Sequence, residues 1–102
     1  MKANFKVAFD VDGTLFDYLD KPRTEVIQLL QAFVALGCSV YMWSGGGPEY
    51  ARNKTNSLHL PESVRILVKG SMKVDLAVDD QYVSLGVANL RTNPLGDNDE
   101  SN

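Results

Sequence analysis

Residues Phe5–Thr14 read Phe-Lys-Val-Ala-Phe-Asp-Val-Asp-Gly-Thr, an apolar run that ends in two aspartates and a Gly-Thr pair. Side chains alternate between the two faces of a strand, so residues two positions apart point the same way. Asp10 and Asp12 are therefore predicted to share one side of a strand end or of the following loop. Two neighbouring carboxylates repel unless a cation neutralises them, and oxygen ligands favour Mg²⁺. One carboxylate can then attack a phosphoryl group while the other moves a proton.

The apolar pattern downstream predicts alternating helices and strands. Residues 26–36 have helical spacing, with Pro22 suited to a first turn and Gly37 to the C-terminus. A strand, a helix and two further strands are predicted next, at 39–43, 48–57, 64–68 and 74–78. Residues 85–90 fit either a fifth strand or a short helix. The order predicts an α/β layered fold with a mainly parallel sheet, where ligands bind beyond the carboxyl ends of the strands.

Polar residues follow three of these strands. Asp10, Ser44 and the pair Asp79-Asp80 each come directly after one, so the topology brings them to the same edge. Ser44 precedes Gly45–Gly47 and a helix start, where N–H groups can hold a phosphate. Taken alone, the glycines also fit a flexible turn, and the paired acids fit the cap of a helix.

Together these segments resemble the haloacid dehalogenase superfamily of phosphatases and phosphotransferases. The first motif, Asp-x-Asp-Gly-Thr, is intact at residues 10–14. Trp-Ser-Gly-Gly resembles the second motif, and Val-Asp-Leu-Ala-Val-Asp-Asp resembles the fourth. The resemblance spans Phe5 to about Tyr82 and implies a Rossmann-like three-layer sandwich. The short gaps between motifs leave no room for the cap domain that many members carry.

The resemblance implies a Mg²⁺-dependent phosphatase that works through an aspartyl-phosphate. Asp10 would be the nucleophile, Asp12 the general acid and base, and Ser44 a ligand of the phosphoryl oxygens. The metal is expected on Asp10, on the backbone carbonyl of Asp12 and on Asp80. Further phosphate-binding and supporting residues are expected at Gly45, Gly46, Asp79 and Thr14.

The family's third motif is a lysine, for which the sequence offers two candidates. Lys69 follows the third predicted strand, whereas Lys73 directly precedes the fourth. If these strands are parallel, Lys73 lies at the wrong end of the sheet, so Lys69 is preferred. An antiparallel pair would bring the two lysines together and leaves the choice open.

Composition narrows the class of protein. The chain has 102 residues, a net charge of −3 and no basic run, which argues against duplex nucleic-acid binding. Its one cysteine, Cys38, excludes an internal disulfide and suits a small core residue. Without a signal peptide or a long apolar stretch, the expected location is cytoplasmic, with no membrane contact. One catalytic domain is expected at 1–92, and an acidic tail without fixed structure at 93–102.

Without a cap, the site suits a macromolecular phosphorylated substrate, or a small metabolite if a partner subunit of a homo-oligomer covers it. Tyr18 and Phe16 lie in the loop that forms a mobile flap in the family, where they would touch substrate. His59 is expected to be a surface or packing residue, and Trp43 to pack into the sheet. The alternative functions are a phosphate- or metal-binding regulatory module with little turnover, and a phosphotransferase subunit of a larger complex.

Overall fold

The computed structural model describes residues 5–93, which form a five-stranded sheet with every neighbouring pair parallel. In chain order the strands are β1 (Lys6–Asp10), β2 (Ser39–Trp43), β3 (Arg65–Ile66), β4 (Val74–Asp79) and β5 (Gly86–Arg91). Their spatial order, β3-β2-β1-β4-β5, places β1 at the centre. The described part of the chain has two α-helices, α1 (Thr24–Ala35) and α2 (Pro48–Thr55), and a 3₁₀ turn at Asn56–Leu58. The predicted α/β fold with a parallel sheet is confirmed.

Both helices pack on one face of the sheet. Val7 and Phe9 of β1 meet Val26 and Leu30 of α1 there, and Ala51 of α2 joins the same apolar cluster. These side chains are almost fully buried. The apolar side chains that alternate along β1 therefore pack in one core with those that recur at helical spacing along α1, as the sequence pattern predicts.

The bounds of α1 differ from the prediction at its start. Gly37 follows the helix with a φ of 86°, the left-handed value that a glycine adopts without a steric penalty. Pro22 is not in the first turn: α1 begins at Thr24, and Pro22 instead forms an isolated bridge with Phe16. The loop after β1 thus closes on itself before the helix starts.

The second face of the sheet has no helix among residues 5–93. It is covered by the segment 67–73, here called the crossover, which carries the chain from β3 to β4. The apolar cluster on this side consists mainly of small or half-buried residues from the sheet, the crossover and the β4–β5 connection: Ala8, Tyr41, Trp43, Leu67, Met72, Val74, Ala77 and Leu85. The third layer of the sandwich is therefore an irregular segment rather than helices.

The third strand is shorter than predicted, and the fifth is now defined. β3 has two residues instead of the five at 64–68, because the chain leaves the sheet after Leu67, whose N–H still donates to Met42 O. Residues 86–91 form a strand, not a helix. The predicted acidic tail lies outside the described residues, except for Asn93. Within the described range, neither helix has the length and apolar character that a bilayer span requires.

Candidate functional site

The carboxyl edge of the sheet collects the polar residues that the motifs identified. Asp10 ends β1, Ser44 follows β2, and Asp79 and Asp80 end and follow β4. Because β2 and β4 flank β1, these four positions are neighbours in space. All four residues are buried, although carboxylates and hydroxyls rarely are without a partner. The carboxyl edge of the sheet therefore contains a cluster of buried polar side chains.

Three carboxylates meet at this edge. Asp10, Asp79 and Asp80 each offer an oxygen within 4.8 Å of the others, and their exposed fractions are only 5%, 1% and 5%. The Oδ2 atom of Asp79 is fully buried and contacts the Lys69 ammonium. Oxygen-only ligand sets of this kind suit hard divalent cations. The structure thus brings together the expected ligands Asp10 and Asp80, and adds Asp79.

Gly13 allows Asp80 to enter this cluster. Its φ is 81°, and a Cβ atom at this position would lie 2.4 Å from Oδ2 of Asp80. Any side chain here would push the carboxylate away and also strain the backbone. The closeness of Asp80 therefore explains why the first motif has a glycine at position 13 of this chain.

Lys69 is the cation of the cluster. Its Nζ lies 3.1 Å from Asp10 Oδ1 and 2.8 Å from Asp79 Oδ2. Burial lowers the pKa of Lys69, but the hydrogen bond with Asp79 and the charge of Asp10 outweigh it and raise the pKa overall. Lys73 is exposed and directly precedes β4, at the opposite end of the parallel sheet. Of the two candidate lysines, the structure places Lys69 at the carboxylates.

The proton balance of the cluster is uneven. Burial raises the pKa of Asp10 to about 7, helped by its hydrogen bond with Asp80 and by the charge of Asp79, while Lys69 opposes the rise. Burial also acts on Asp80, but hydrogen bonds from Tyr18, Asp10 and Gln81 prevail and lower its pKa. Of these two carboxyls, Asp10 is therefore the one whose ionised form is disfavoured by its surroundings.

Asp12 lies outside the carboxylate cluster. Its side chain is 50% exposed and contacts α2, where Tyr50 Oη donates to one oxygen at 2.7 Å and Lys54 Nζ to the other at 2.9 Å. Since β1 ends at Asp10, Asp12 lies in the turn that follows, and the shared side of the two carboxylates stays a prediction. Residues 11–16 then turn tightly, with three N–H groups on the carbonyl of Val11. The expectation for the carbonyl oxygen of Asp12 stays a prediction.

Lys54 also holds the loop after the first motif. Its Nζ lies 2.6 Å from Asp20 Oδ1 and 5.1 Å from the centroid of the Phe16 ring. Hydrogen bonds with Asp20 and then Asp12 raise the pKa of Lys54 above its usual range. Phe16 itself is 4% exposed and belongs to the core, so the expectation that it touches substrate is wrong.

Ser44 and the glycines form a turn that leads into α2. Ser44 Oγ accepts the N–H of Gly46 at 3.0 Å, and Ser44 O accepts the N–H of Gly47. A Cβ on Gly46 would lie 2.9 Å from the ring of Tyr50, whereas one on Gly45 would meet nothing within 4 Å. A ligand at Ser44 Oγ would therefore lie beside both the turn and the start of α2.

The contacts that Tyr18 and Arg23 make at the site carry no signal in the sequence pattern. Tyr18 Oη donates to Asp80 Oδ2 at 2.7 Å, and the buried Arg23 donates through Nη1 to Gly13 O at 3.1 Å. Thr14 Oγ1 lies 3.3 Å from Asp10 Oδ2, in the supporting place that the motif implied. Only Tyr50 and Lys54 had a recognisable relation, since they are four residues apart on one helix. His59 is exposed, as expected, and Trp43 is fully buried against the sheet.

Comparisons of this chain with protein-family models, with curated proteins and with solved structures found no match. The functional interpretation therefore depends on the chemistry of the site and on the resemblance of its motifs.

Proposed function

We propose that this chain is a Mg²⁺-dependent phosphomonoesterase of the haloacid dehalogenase type, acting through an aspartyl-phosphate. One observation carries the proposal. The buried carboxylate of Asp10, at the end of the central strand, contacts the Lys69 ammonium and meets the carboxylates of Asp79 and Asp80. A buried acid beside a cation and further acids costs folding free energy, which a purely structural role does not explain. The motif around it supports the family assignment.

The donor set fits a hard divalent cation. Asp10 and Asp80 would hold Mg²⁺, with Asp79 close enough to contribute directly or through a water. Such a cation would neutralise the carboxylates and stabilise charge on the phosphoryl oxygens. Three buried carboxylates that share the single Lys69 ammonium, and the raised pKa of Asp10, are what an acidic site short of positive charge is expected to have.

The residues divide the phosphoryl transfer among them. A carboxylate oxygen of Asp10 forms a bond to phosphorus while the ester P–O bond breaks on the opposite side. Asp12 gives a proton to the leaving oxygen and later takes one from the water that hydrolyses the aspartyl-phosphate. Ser44 Oγ and neighbouring glycine N–H groups receive phosphoryl oxygens, and Lys69 offsets their charge.

Asp12 favours one alternative, a phosphate-accepting regulatory module with little turnover. Both of its carboxylate oxygens are engaged by Tyr50 and Lys54, so it must leave these contacts or rotate to reach a leaving group. A module of this kind would form the aspartyl-phosphate but release phosphate slowly. A phosphotransferase would release it to an acceptor other than water. A cytoplasmic location, a macromolecular substrate and a covering partner subunit remain predictions.

The test is phosphate release from an aryl phosphate with Mg²⁺, with a chelator, and in Asp10→Asn. The phosphatase predicts Mg²⁺-dependent turnover that falls to background in Asp10→Asn. The matched control is Asp75→Asn, because Asp75 is an acid of β4 that accepts the Lys6 N–H at 2.7 Å, far from the cluster. Turnover that survives in Asp10→Asn would refute the nucleophile. An alkali-labile phosphoprotein that accumulates without turnover would favour the regulatory module.

A further inference from the structure

An exposed aromatic and cationic surface lies next to Asp80. It consists of Tyr18, Tyr82 and Arg91, here called the tyrosine–arginine patch. The exposed fractions of the two tyrosines are 57% and 87%, so neither ring contributes much to the core. The Arg91 guanidinium lies 4.2 Å from the centroid of the Tyr82 ring, and its Nη1 is 3.4 Å from the Tyr82 hydroxyl. Tyr82 and Arg91 of the patch thus contact each other by stacking and by a hydrogen bond.

One hydrogen bond, one short sequence separation and one strand register place the patch beside the carboxylate cluster. Tyr18 Oη donates to Asp80 Oδ2, and Tyr82 follows Asp80 by two residues. Arg91 is in register with Asp79 across the β4–β5 pair, so its backbone lies at the same carboxyl edge.

Within residues 5–93, the Arg91 guanidinium stacks on Tyr82, but its charge is not neutralised by an acid. No carboxylate of that range forms an ion pair with it, whereas Lys54, Lys69 and Arg23 are all paired. A guanidinium held over an aromatic ring can stack with further planar groups, and it presents donors to carbonyl and phosphate oxygens. An unpaired guanidinium and an exposed ring beside a phosphoryl site suit a ligand that is both planar and anionic.

We propose that the tyrosine–arginine patch binds the nucleobase of a nucleotide whose terminal phosphate occupies the Asp10 site. The inference rests on the proposed function and narrows its substrate class. Bases of any identity stack on an aromatic ring, so the patch selects a nucleotide rather than a sequence. The source is a free nucleoside monophosphate or the phosphorylated end of a single strand. In the described chain, the segments that join β1 to α1 and β3 to β4 contain no additional folded unit that would cover the carboxyl edge of the sheet.

The test compares adenosine 5′-monophosphate with ribose 5-phosphate, which has the same phosphate and sugar but no base. Stacking on Tyr82 is expected to raise kcat/KM for the nucleotide about tenfold. The ratio should fall towards one in Tyr82→Ala and stay high in Tyr82→Phe, which keeps the ring. Arg91→Gln should lower it by a smaller factor. The control is Val87→Ser, an exposed position near the start of β5, which should change neither rate.

Each outcome decides separately on the patch and on the phosphatase. Hydrolysis of both substrates at equal kcat/KM would refute the patch and leave the phosphatase standing. No hydrolysis of either of them or of the aryl phosphate would refute the phosphatase. Calorimetric binding to Asp10→Asn then tests the patch alone: tighter binding of the nucleotide supports it, and equal binding overturns it. A 5′-phosphorylated dinucleotide distinguishes the sources, since a strand end predicts a higher kcat/KM than the mononucleotide.

Discussion

Asp10 and Asp12 belong to one motif, yet their surroundings are opposite. Asp10 is buried with two further carboxylates and one ammonium, whereas the side chain of Asp12 is half exposed and bound by Tyr50 and Lys54 of α2. The last residue of a strand inherits the burial of the sheet, while a residue two places into the turn does not. The position of each acid relative to the strand end, rather than its residue type, therefore decides whether burial destabilises its ionised form or water solvates it.

The sharpest test of this contrast replaces the lysine that pairs with each aspartate, which is Lys69 for Asp10 and Lys54 for Asp12. Lys69→Met should lower kcat by a factor of about 10²–10³, since a preorganised charge at such a site contributes about 3–4 kcal/mol. Lys54→Met should cost about tenfold or less, because Lys54 contacts Asp12 in a solvent-exposed network. The rates are measured at saturating Mg²⁺ on one substrate, with Lys73→Met as the control. A larger loss in Lys54→Met or Lys73→Met would reverse the assignment.

Gly13 lies against the buried carboxylate of Asp80, whereas Gly45 faces open space. Gly13→Ala should lower the free energy of unfolding by about 2–3 kcal/mol, because φ is positive and Cβ would displace Asp80. Gly45→Ala should change it by less than about 0.5 kcal/mol, because its Cβ meets nothing within 4 Å. Urea denaturation measures both, and Mg²⁺-induced stabilisation should also be lost only in Gly13→Ala. Equal destabilisation by the two substitutions would contradict the packing of Asp80.

The pH dependence of stability distinguishes the two acids directly. The pKa of Asp10 rises on folding from 3.8 to about 7, so its ionisation destabilises the folded state progressively between these values. In chelator, Asp10→Asn should therefore raise the free energy of unfolding by about 1–3 kcal/mol at pH 8, and by little at pH 4. This is less than the ~4 kcal/mol of the full shift, because the amide loses its ion pair with Lys69.

Asp12→Asn is the matched control for that measurement. Its side chain is half exposed, so we expect a change below about 1 kcal/mol at pH 8. Urea unfolding at the two pH values gives both differences. If Asp10→Asn were destabilising at pH 8 by more than it is at pH 4, the direction of the Asp10 pKa shift would be wrong.

The smallest expected effect concerns Tyr50. Tyr50→Phe removes the hydroxyl that donates to Asp12 at 2.7 Å but keeps the ring beside Gly46. Since the bond is exposed, the free energy of unfolding should fall by no more than about 0.5 kcal/mol. Release of one oxygen of Asp12 should change kcat by less than about fivefold, measured beside Lys54→Met. A loss equal to that of Lys69→Met would place Asp12 and its partners in the dominant role.

The sequence predicted those elements whose pattern is local. β2 has the predicted bounds, and α1 ends as Gly37 indicates, because strand period, helical spacing and a left-handed glycine act within a few residues. β3 was predicted too long, since its apolar residues continue past the point where the chain turns to cross the sheet. Apolar character alone does not distinguish a strand from a segment that covers one.

For the site, the residues that end strands were predictable and their partners were not. Asp10, Ser44, Asp79 and Asp80 follow from topology, and Lys69 follows from the parallel direction of the strands. The contacts of Tyr18 with Asp80 and of Lys54 with Asp12 join residues 62 and 42 positions apart. Such pairs depend on how loops fold back over the sheet, which has no period in the sequence.

The crossover that carries Lys69 also makes the fold and the site inseparable. Leu67 and Met72 of this segment pack against the apolar cluster of the second face, which contains Trp43, the single tryptophan of the chain. Because no helix of residues 5–93 covers this face, loosening of the crossover would withdraw the ammonium from Asp10 and expose the indole to water at the same time. Tryptophan fluorescence is therefore a built-in reporter of the lysine's position, and loss of activity on heating should coincide with the fluorescence change.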